Sequence, residues 1–141
     1  MILLDTDHLT ILTYSEGSAY ASLTTRMRAA REETFALPIV TVEEQFRGWV
    51  AAIAPVSDVS KQVPKYDRLV RFVEFLQGWQ IMRFDERAAE EFKRLRKRRG
   101  NMGARDLKIA SIALTQNALL LSAILRDFQR VPDLRVENWL K

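Results

Sequence analysis

MILLDTDHLT, residues 1–10, sets a run of four apolar residues against two carboxylates, Asp5 and Asp7, with one threonine between them. A short apolar run that stops at an acid predicts a buried strand delivering charge to a sheet edge. In parallel α/β sheets the carboxyl ends of the strands are where ligands sit. Charge placed there is costly unless a metal, a cation or hydrogen bonds compensate it. A purely structural reading competes: Asp7 caps a helix over His8–Thr13 and Asp5 lies half-exposed. These ten residues alone do not separate the two.

Along the rest of the chain, short apolar runs alternate with longer periodic stretches. Strands are expected at Ile2–Leu4, Phe35–Val40, Gln80–Phe84 and Leu119–Ile124, with a weaker fifth at Arg135–Trp139. Helices are expected over Ser18–Glu33 and Val42–Ala54, and over Tyr66–Leu76, where apolar residues recur with a period close to 3.6 and Pro64 marks the start. A further helix, Glu86–Arg99, has Asp85 as its N-cap and Gly100 at its end. Asp106–Thr115 follows the loop RGNMGA, and APVSDVSKQVP at 54–64 reads as a flexible connection. Strands alternating with helices at this spacing predict an α/β fold, a parallel sheet covered by helices. With 141 residues, no repeat and no low-complexity linker, the chain reads as a single domain, 1–141.

Composition narrows the chemistry. The chain is 48% hydrophobic and 28% charged, as in ordinary globular proteins. It has no cysteine, which excludes disulfides, zinc–thiolate sites and thiol catalysis. Its one histidine, His8, excludes a multi-histidine metal site. A metal here is therefore held by oxygen, which favours Mg²⁺ or Mn²⁺. No apolar stretch approaches the ~18 residues of a membrane span. Met1 runs directly into an apolar segment without a basic flank, so no export signal and a cytoplasmic location are expected.

The net charge of +4 is unevenly distributed. KRLRKRR at 93–99 contributes Lys93, Arg94, Arg96, Lys97, Arg98 and Arg99; without these six, 16 basic residues face 18 acidic ones. A basic block on a slightly acidic domain fits contact with a polyanion, and equally fits a solvated helix face.

Among the acids, Glu44 stands three residues after Thr41 in TVEE, the spacing of a capping box, and also close behind the apolar run FALPIV. Gly48, one turn further on, shares its face. In ARDLKIASIAL, Ile109, Ala110 and Ala113 follow Asp106 by three, four and seven residues, placing that carboxylate in line with the inward apolar stripe. A favourable helix dipole explains an exposed acid at this position, not one aimed inward. A cation held jointly with Asp5 and Glu44 supplies the missing partner. An oxygen-only acidic cluster plus a basic run suits metal-assisted phosphodiester hydrolysis.

Taken together, MILLDTD, IVTVEEQFRG, ARDLKIASIAL and LRDFQRVPDLRVENW resemble, in order and spacing, the PIN-domain family, and within it the VapC-type toxins of bacterial toxin–antitoxin pairs. The resemblance covers nearly the whole chain. It implies a three-layer sandwich with a central, mainly parallel sheet of about four to five strands between helices. It also implies Mg²⁺- or Mn²⁺-dependent endoribonuclease activity leaving 5′-phosphate and 3′-hydroxyl ends, an antitoxin that blocks the site, and a homodimer. Residue by residue, Asp5, Glu44 and Asp106 resemble the metal-binding acids, Glu43 being a neighbour of the second. Thr6 and Asp7 match positions near the site, and the six basic residues are candidates for RNA contact.

One stretch departs from the family pattern. Where the family has a threonine, a polar residue and then Asn or Asp, this chain has Ser122, Ala123 and Ile124. Ser122 substitutes for the threonine, Ile124 removes the usual fourth polar or acidic group, and Asp127 is the nearest acid. The alternative function is therefore a catalytically weakened PIN domain that binds RNA or antitoxin. A phosphatase of the haloacid-dehalogenase type also carries Asp-x-Asp after a strand, but has Thr or Val where this chain has Leu9.

Overall fold

The computed structural model describes residues 1–98 and 102–141. Five strands, β1 (Ile2–Leu4), β2 (Phe35–Pro38), β3 (Gln80–Met82), β4 (Leu119–Leu121) and β5 (Arg135–Glu137), form one sheet in the order β3-β2-β1-β4-β5. Every neighbouring pair is parallel, so the sheet is wholly rather than mainly parallel and includes the weak fifth strand. The helices are α1 (Thr6–Tyr14), α2 (Ser18–Ala29), α3 (Ile39–Ala51), α4 (Val59–Leu76), α5 (Glu86–Arg98), α6 (Ala104–Thr115) and the single turn α7 (Leu125–Phe128).

The period of two along the central strands divides the core. Leu3, Ala36 and Leu120 join Ala88, Leu95, Ile109 and Ala113 from α5 and α6 in one layer. Ile2, Leu4, Leu37 and Leu121 join Leu9, Leu23, Val42 and Phe72 from α1 to α4 in the other. Because both sheet faces are covered at the centre, β1, β2 and β4 read as unbroken apolar runs, the mark of a buried parallel sheet, while the edge strands β3 and β5 carry polar residues.

Several boundaries differ from the sequence expectation. The helix after β2 starts at Ile39, with Pro38 as N-cap, rather than near Val42. Thr41 therefore sits inside the first turn, buried, and donates to the Leu4 carbonyl at 3.1 Å. The segment 54–64 is only partly a connection: α4 starts at Val59, where the Asp58 side chain accepts the Ser60 N–H at 2.9 Å. Pro64 is the sixth residue of this helix, beyond the first turn, so the Ser60 carbonyl goes without the intrahelical N–H it would otherwise accept. The expected helix over Ser18–Glu33 ends at Ala29, and the short turn α7 has no counterpart in the sequence pattern. Asp85 does cap α5, accepting the Ala88 N–H at 2.9 Å. Gly100, expected to end α5, lies outside the described residues.

Candidate active site at the carboxyl edge of the sheet

The strand β1 ends at Asp5, and the chain turns there into α1. Asp5 itself is the N-cap, its Oδ1 accepting the Thr6 N–H at 2.7 Å, and it is 4% exposed. The competing structural reading, a capping Asp7 beside a half-exposed Asp5, thus fails: Asp5 is both the cap and the buried acid. The second oxygen of Asp5 accepts the Ser122 hydroxyl at 2.8 Å, and Ser122 follows β4, the next strand in the sheet.

Asp7 lies in the first turn of α1 and turns toward the segment after β4. Its Oδ2 accepts the Ala123 N–H at 2.9 Å, and its Oδ1 pairs with His8 Nδ1 at 2.5 Å. His8 is fully buried, and its Nε2 accepts the Trp139 backbone N–H at 3.1 Å. The Nδ1 proton must then point at Asp7, so the lone histidine is a strut tying the chain's last turn to this edge.

Glu44 reaches the same edge from α3. Its two oxygens accept the Thr6 hydroxyl and, at 2.8 Å, the Arg105 guanidinium from the first turn of α6. The capping-box alternative for Glu44 fails, because α3 begins two residues before Thr41. Asp106 follows Arg105, in the helix's first turn.

Electrostatics join these groups. Burial, and then the neighbouring Asp7, push the Asp5 carboxyl up to about 7, with a smaller contribution from Asp106. Asp106 is raised by partial burial, then by Glu44, Asp127 and Asp7, while Arg105 opposes the rise. Asp127, on α7, is therefore part of the same electrostatic cluster. Nonetheless, among the described residues no three acids or histidines are arranged as a finished metal cage. Their oxygens are engaged by Thr6, Ser122, Ala123 and Arg105 instead. The donor chemistry fits a hard dication: the set is oxygen-only and its repulsions leave Asp5 poorly compensated.

Arg105 is the residue that sequence reasoning passed over; a cation next to Asp106 was the available signal. Ile124 is half-exposed and occupies the N-cap of α7 without a side-chain hydrogen bond, its N–H donating to Ser122 Oγ at 3.0 Å. The basic run divides. Lys93 pairs with Glu90 at 3.2 Å, Arg94 with Glu91, and Arg96 lies over the Phe92 ring at 5.8 Å. Leu95 is buried, Lys97 and Arg98 are exposed, and Arg99 lies outside the described residues. Five residues of chain separate Arg98 from the start of α6, a reach of roughly 20 Å at most. α5 and α6 share one helical layer, with Leu95 and Leu107 in the same core cluster.

Known proteins share this layout. Residues 2–134 match the model of the PIN domain. The ribonuclease VapC2 of Rickettsia felis is 33% identical over 87 residues, 59% of this chain and 65% of that protein's length. The Rickettsia felis VapBC2 structure bound to a DNA fragment from its promoter superposes with a TM-score of 0.70 and 24% identity, covering 99% of each chain. DNA-bound VapBC from Salmonella typhimurium gives 0.77 at 18% identity, over 98% of this chain and 97% of that one. A toxin–antitoxin complex from Klebsiella pneumoniae gives 0.67 at 21%, with the same coverage. The structural likenesses establish the fold, and with the family match running from β1 to just before β5, the chain belongs to the PIN-domain family.

Proposed function

We propose that this PIN domain is a metal-dependent endoribonuclease, the toxin of a toxin–antitoxin pair acting in the cytoplasm, with Mg²⁺ or Mn²⁺ as its ion. The observation that carries the reading is the electrostatic cluster at the end of β1, where Asp5, Asp7, Glu44, Asp106 and Asp127 come from four separate parts of the chain. The name of the Rickettsia felis relative, a ribonuclease, supports the activity, and the toxin–antitoxin neighbour supports an antitoxin as partner. Among the described residues no helix is long and apolar enough to cross a membrane.

In this reading Asp5, Glu44 and Asp106 hold the ion, which when bound polarises a phosphoryl oxygen and lowers the pKa of water. The chain's own residues prepare the site. The Thr6 hydroxyl orients Glu44, the Ser122 hydroxyl orients Asp5, and the Ala123 N–H holds Asp7 at the rim. Asp127 supplies the further negative charge near Asp106. Lys97 and Arg98, exposed and outside the intrahelical pairs that occupy Lys93 and Arg94, are in this reading the residues of the basic run that meet RNA phosphates. A homodimer accompanies this reading as part of the family resemblance.

Cleavage of an RNA substrate in Mg²⁺ or Mn²⁺, abolished by EDTA and by Asp106→Asn, tests the proposal. Half-exposed Ile124, which offers no lone pair, favours a second reading, a binding module that retains RNA or antitoxin affinity without cleavage. Wild-type protein that binds RNA but shows no metal-dependent cleavage would establish that one instead.

A further inference from the structure

A mainly apolar cleft lies away from the carboxylates, between α1, α3 and α4. It has a volume of about 290 Å³ and is lined by Thr13, Tyr14, Trp49, Arg68, Arg71, Phe72 and Phe75. Its floor is aromatic: Phe72 is buried and stacks edge-on with Phe46 at 4.9 Å, and Phe75 stacks with Trp79. The polar lining is strongly biased toward donors. Arg68 and Arg71 bring guanidinium groups, which can only donate, and neither joins any ion pair between described residues. The Trp49 indole N–H, also donor-only, is buried with no acceptor among the described residues. The Thr13 hydroxyl already donates to the Thr10 carbonyl. No lining residue is acidic.

The buried indole N–H without an acceptor is costly, and the two guanidiniums beside it, exposed and solvated, add positive charge at the cleft's mouth rather than further unmet bonds. The missing group is an oxyanion that accepts several N–H bonds, and planar guanidinium forks match carboxylate geometry. The aromatic floor asks for an apolar body next to that oxyanion. We propose that this cleft is a docking site for an acidic side chain of a protein partner, a Glu or Asp adjoining an aromatic or aliphatic residue. An RNA phosphate is the less suitable occupant. The cleft belongs to the helical layer opposite α5 and its basic end, so it does not extend the cationic surface of that helix. None of the candidate active-site residues lines the cleft, so this docking role is independent of the nuclease reading.

The indole N–H of Trp49 gives a direct reporter in ¹⁵N-labelled full-length protein, assigned by its disappearance in Trp49→Phe; Trp79 and Trp139 serve as internal controls. The probes are N-acetyl-Phe-Glu-amide, its neutral counterpart N-acetyl-Phe-Gln-amide, 3-phenylpropionate and inorganic phosphate. The acidic dipeptide should shift the Trp49 resonance saturably, binding roughly tenfold more tightly than the neutral one, since charge-assisted bonds are about twice as strong as neutral ones. The preference should vanish in Arg68→Gln/Arg71→Gln, with the Trp79 and Trp139 signals in place to show that the variant is folded. Equal binding of the two dipeptides, or no response to either, overturns the proposal. A response to phosphate but not to the acidic dipeptide reassigns the cleft to nucleic acid, and 3-phenylpropionate binding well above the dipeptide reassigns it to a small metabolite; either result also overturns it.

Discussion

Arg105→Gln is the perturbation that most directly separates a metal site from a static ion-pair network. In the folded chain Arg105 stands 2.8 Å from Glu44, with the two side chains 45% and 30% exposed, and it lowers the charge cost at Asp106. A pair this exposed contributes about 0.2–1 kcal/mol. If Glu44 is a metal ligand, that interaction opposes metal entry, because Glu44 cannot serve both cations fully. Removing it should tighten Mn²⁺ or Mg²⁺ binding by up to about fivefold, the equivalent of ~1 kcal/mol. The metal-free protein should move the other way. It loses the pair and exposes Glu44 and Asp106 to each other, lowering Tm by roughly 1–4 °C for a domain of this size.

The signature is thus a crossed one: lower Tm in EDTA, and a larger rise on adding metal than in wild type, because ligand stabilisation grows with [L]/Kd. Calorimetric titration with Mn²⁺ and thermal melts with and without Mg²⁺ measure both halves. Arg105→Lys, which keeps charge but not the planar fork, should fall between the two. If Arg105→Gln lowers Tm in EDTA but binds metal no more tightly than wild type, Glu44 is not a ligand and no competition between the two cations exists.

Asp5→Asn should abolish metal-dependent cleavage while raising the Tm of the metal-free protein, since Asn keeps a carbonyl for the Thr6 N–H and offers an amide to Ser122. That gain should depend on pH. The folded Asp5 pKa, raised to about 7 from 3.8, means its ionisation leaves the wild type fully stable only below about pH 4. Wild-type stability then declines as pH rises through 7, and melts from pH 4 to 8 in EDTA should converge with those of Asp5→Asn at the acidic end. Lys97→Gln/Arg98→Gln should flatten the salt dependence of RNA binding by roughly one unit of slope for each phosphate no longer neutralised. Lys93→Gln/Arg94→Gln should change it less, a difference that filter binding across a salt series will reveal. Ile124→Asn should be tolerated or mildly stabilising, because the position is exposed and caps α7, and should lower the metal concentration needed for cleavage. A folded Ile124→Asn protein with an unchanged metal requirement would show that Ile124 does not limit the site.

Much of the fold was legible because its signals are local and redundant. Four of the strand starts rest on apolar runs, and Asp85 announces α5 by a side chain that reaches only three residues. The errors fall where a local rule met a tertiary competitor. Thr41 and Glu44 have the spacing of a capping box, but Thr41 is drawn inward to the Leu4 carbonyl of β1 and Glu44 outward to Thr6 and Arg105. Pro64 resembles a helix start, yet the Asp58 cap and the packing of Phe72 extend α4 back past it. Asp5 and Asp106 stand out in the sequence because one ends a strand and the other opens a helix, whereas Glu44, in the second turn of α3, is marked only by its spacing from Thr41 and the apolar run before it. Their partners do not stand out, since Ser122 and Arg105 meet Asp5 and Glu44 only through the crossovers of the sheet.

The first seven residues pose the question of why a buried strand should end in closely spaced acids. The hydrogen bonds show that each is locally accommodated: Asp5 by Thr6 and Ser122, Asp7 by His8 and Ala123, Glu44 by Thr6 and Arg105. Asp106 has in addition the favourable field of its helix N-terminus. Local accommodation does not remove the burial and the mutual repulsion, which together still hold Asp5 and Asp106 above the ordinary carboxylate range. Capping alone would need only one acid per helix, and a cap works best exposed and ionised, not buried beside other carboxylates. Capping and strut contacts thus account for each acid singly but not for their burial side by side, and a bound cation is the simplest agent that would turn that repulsion into attraction.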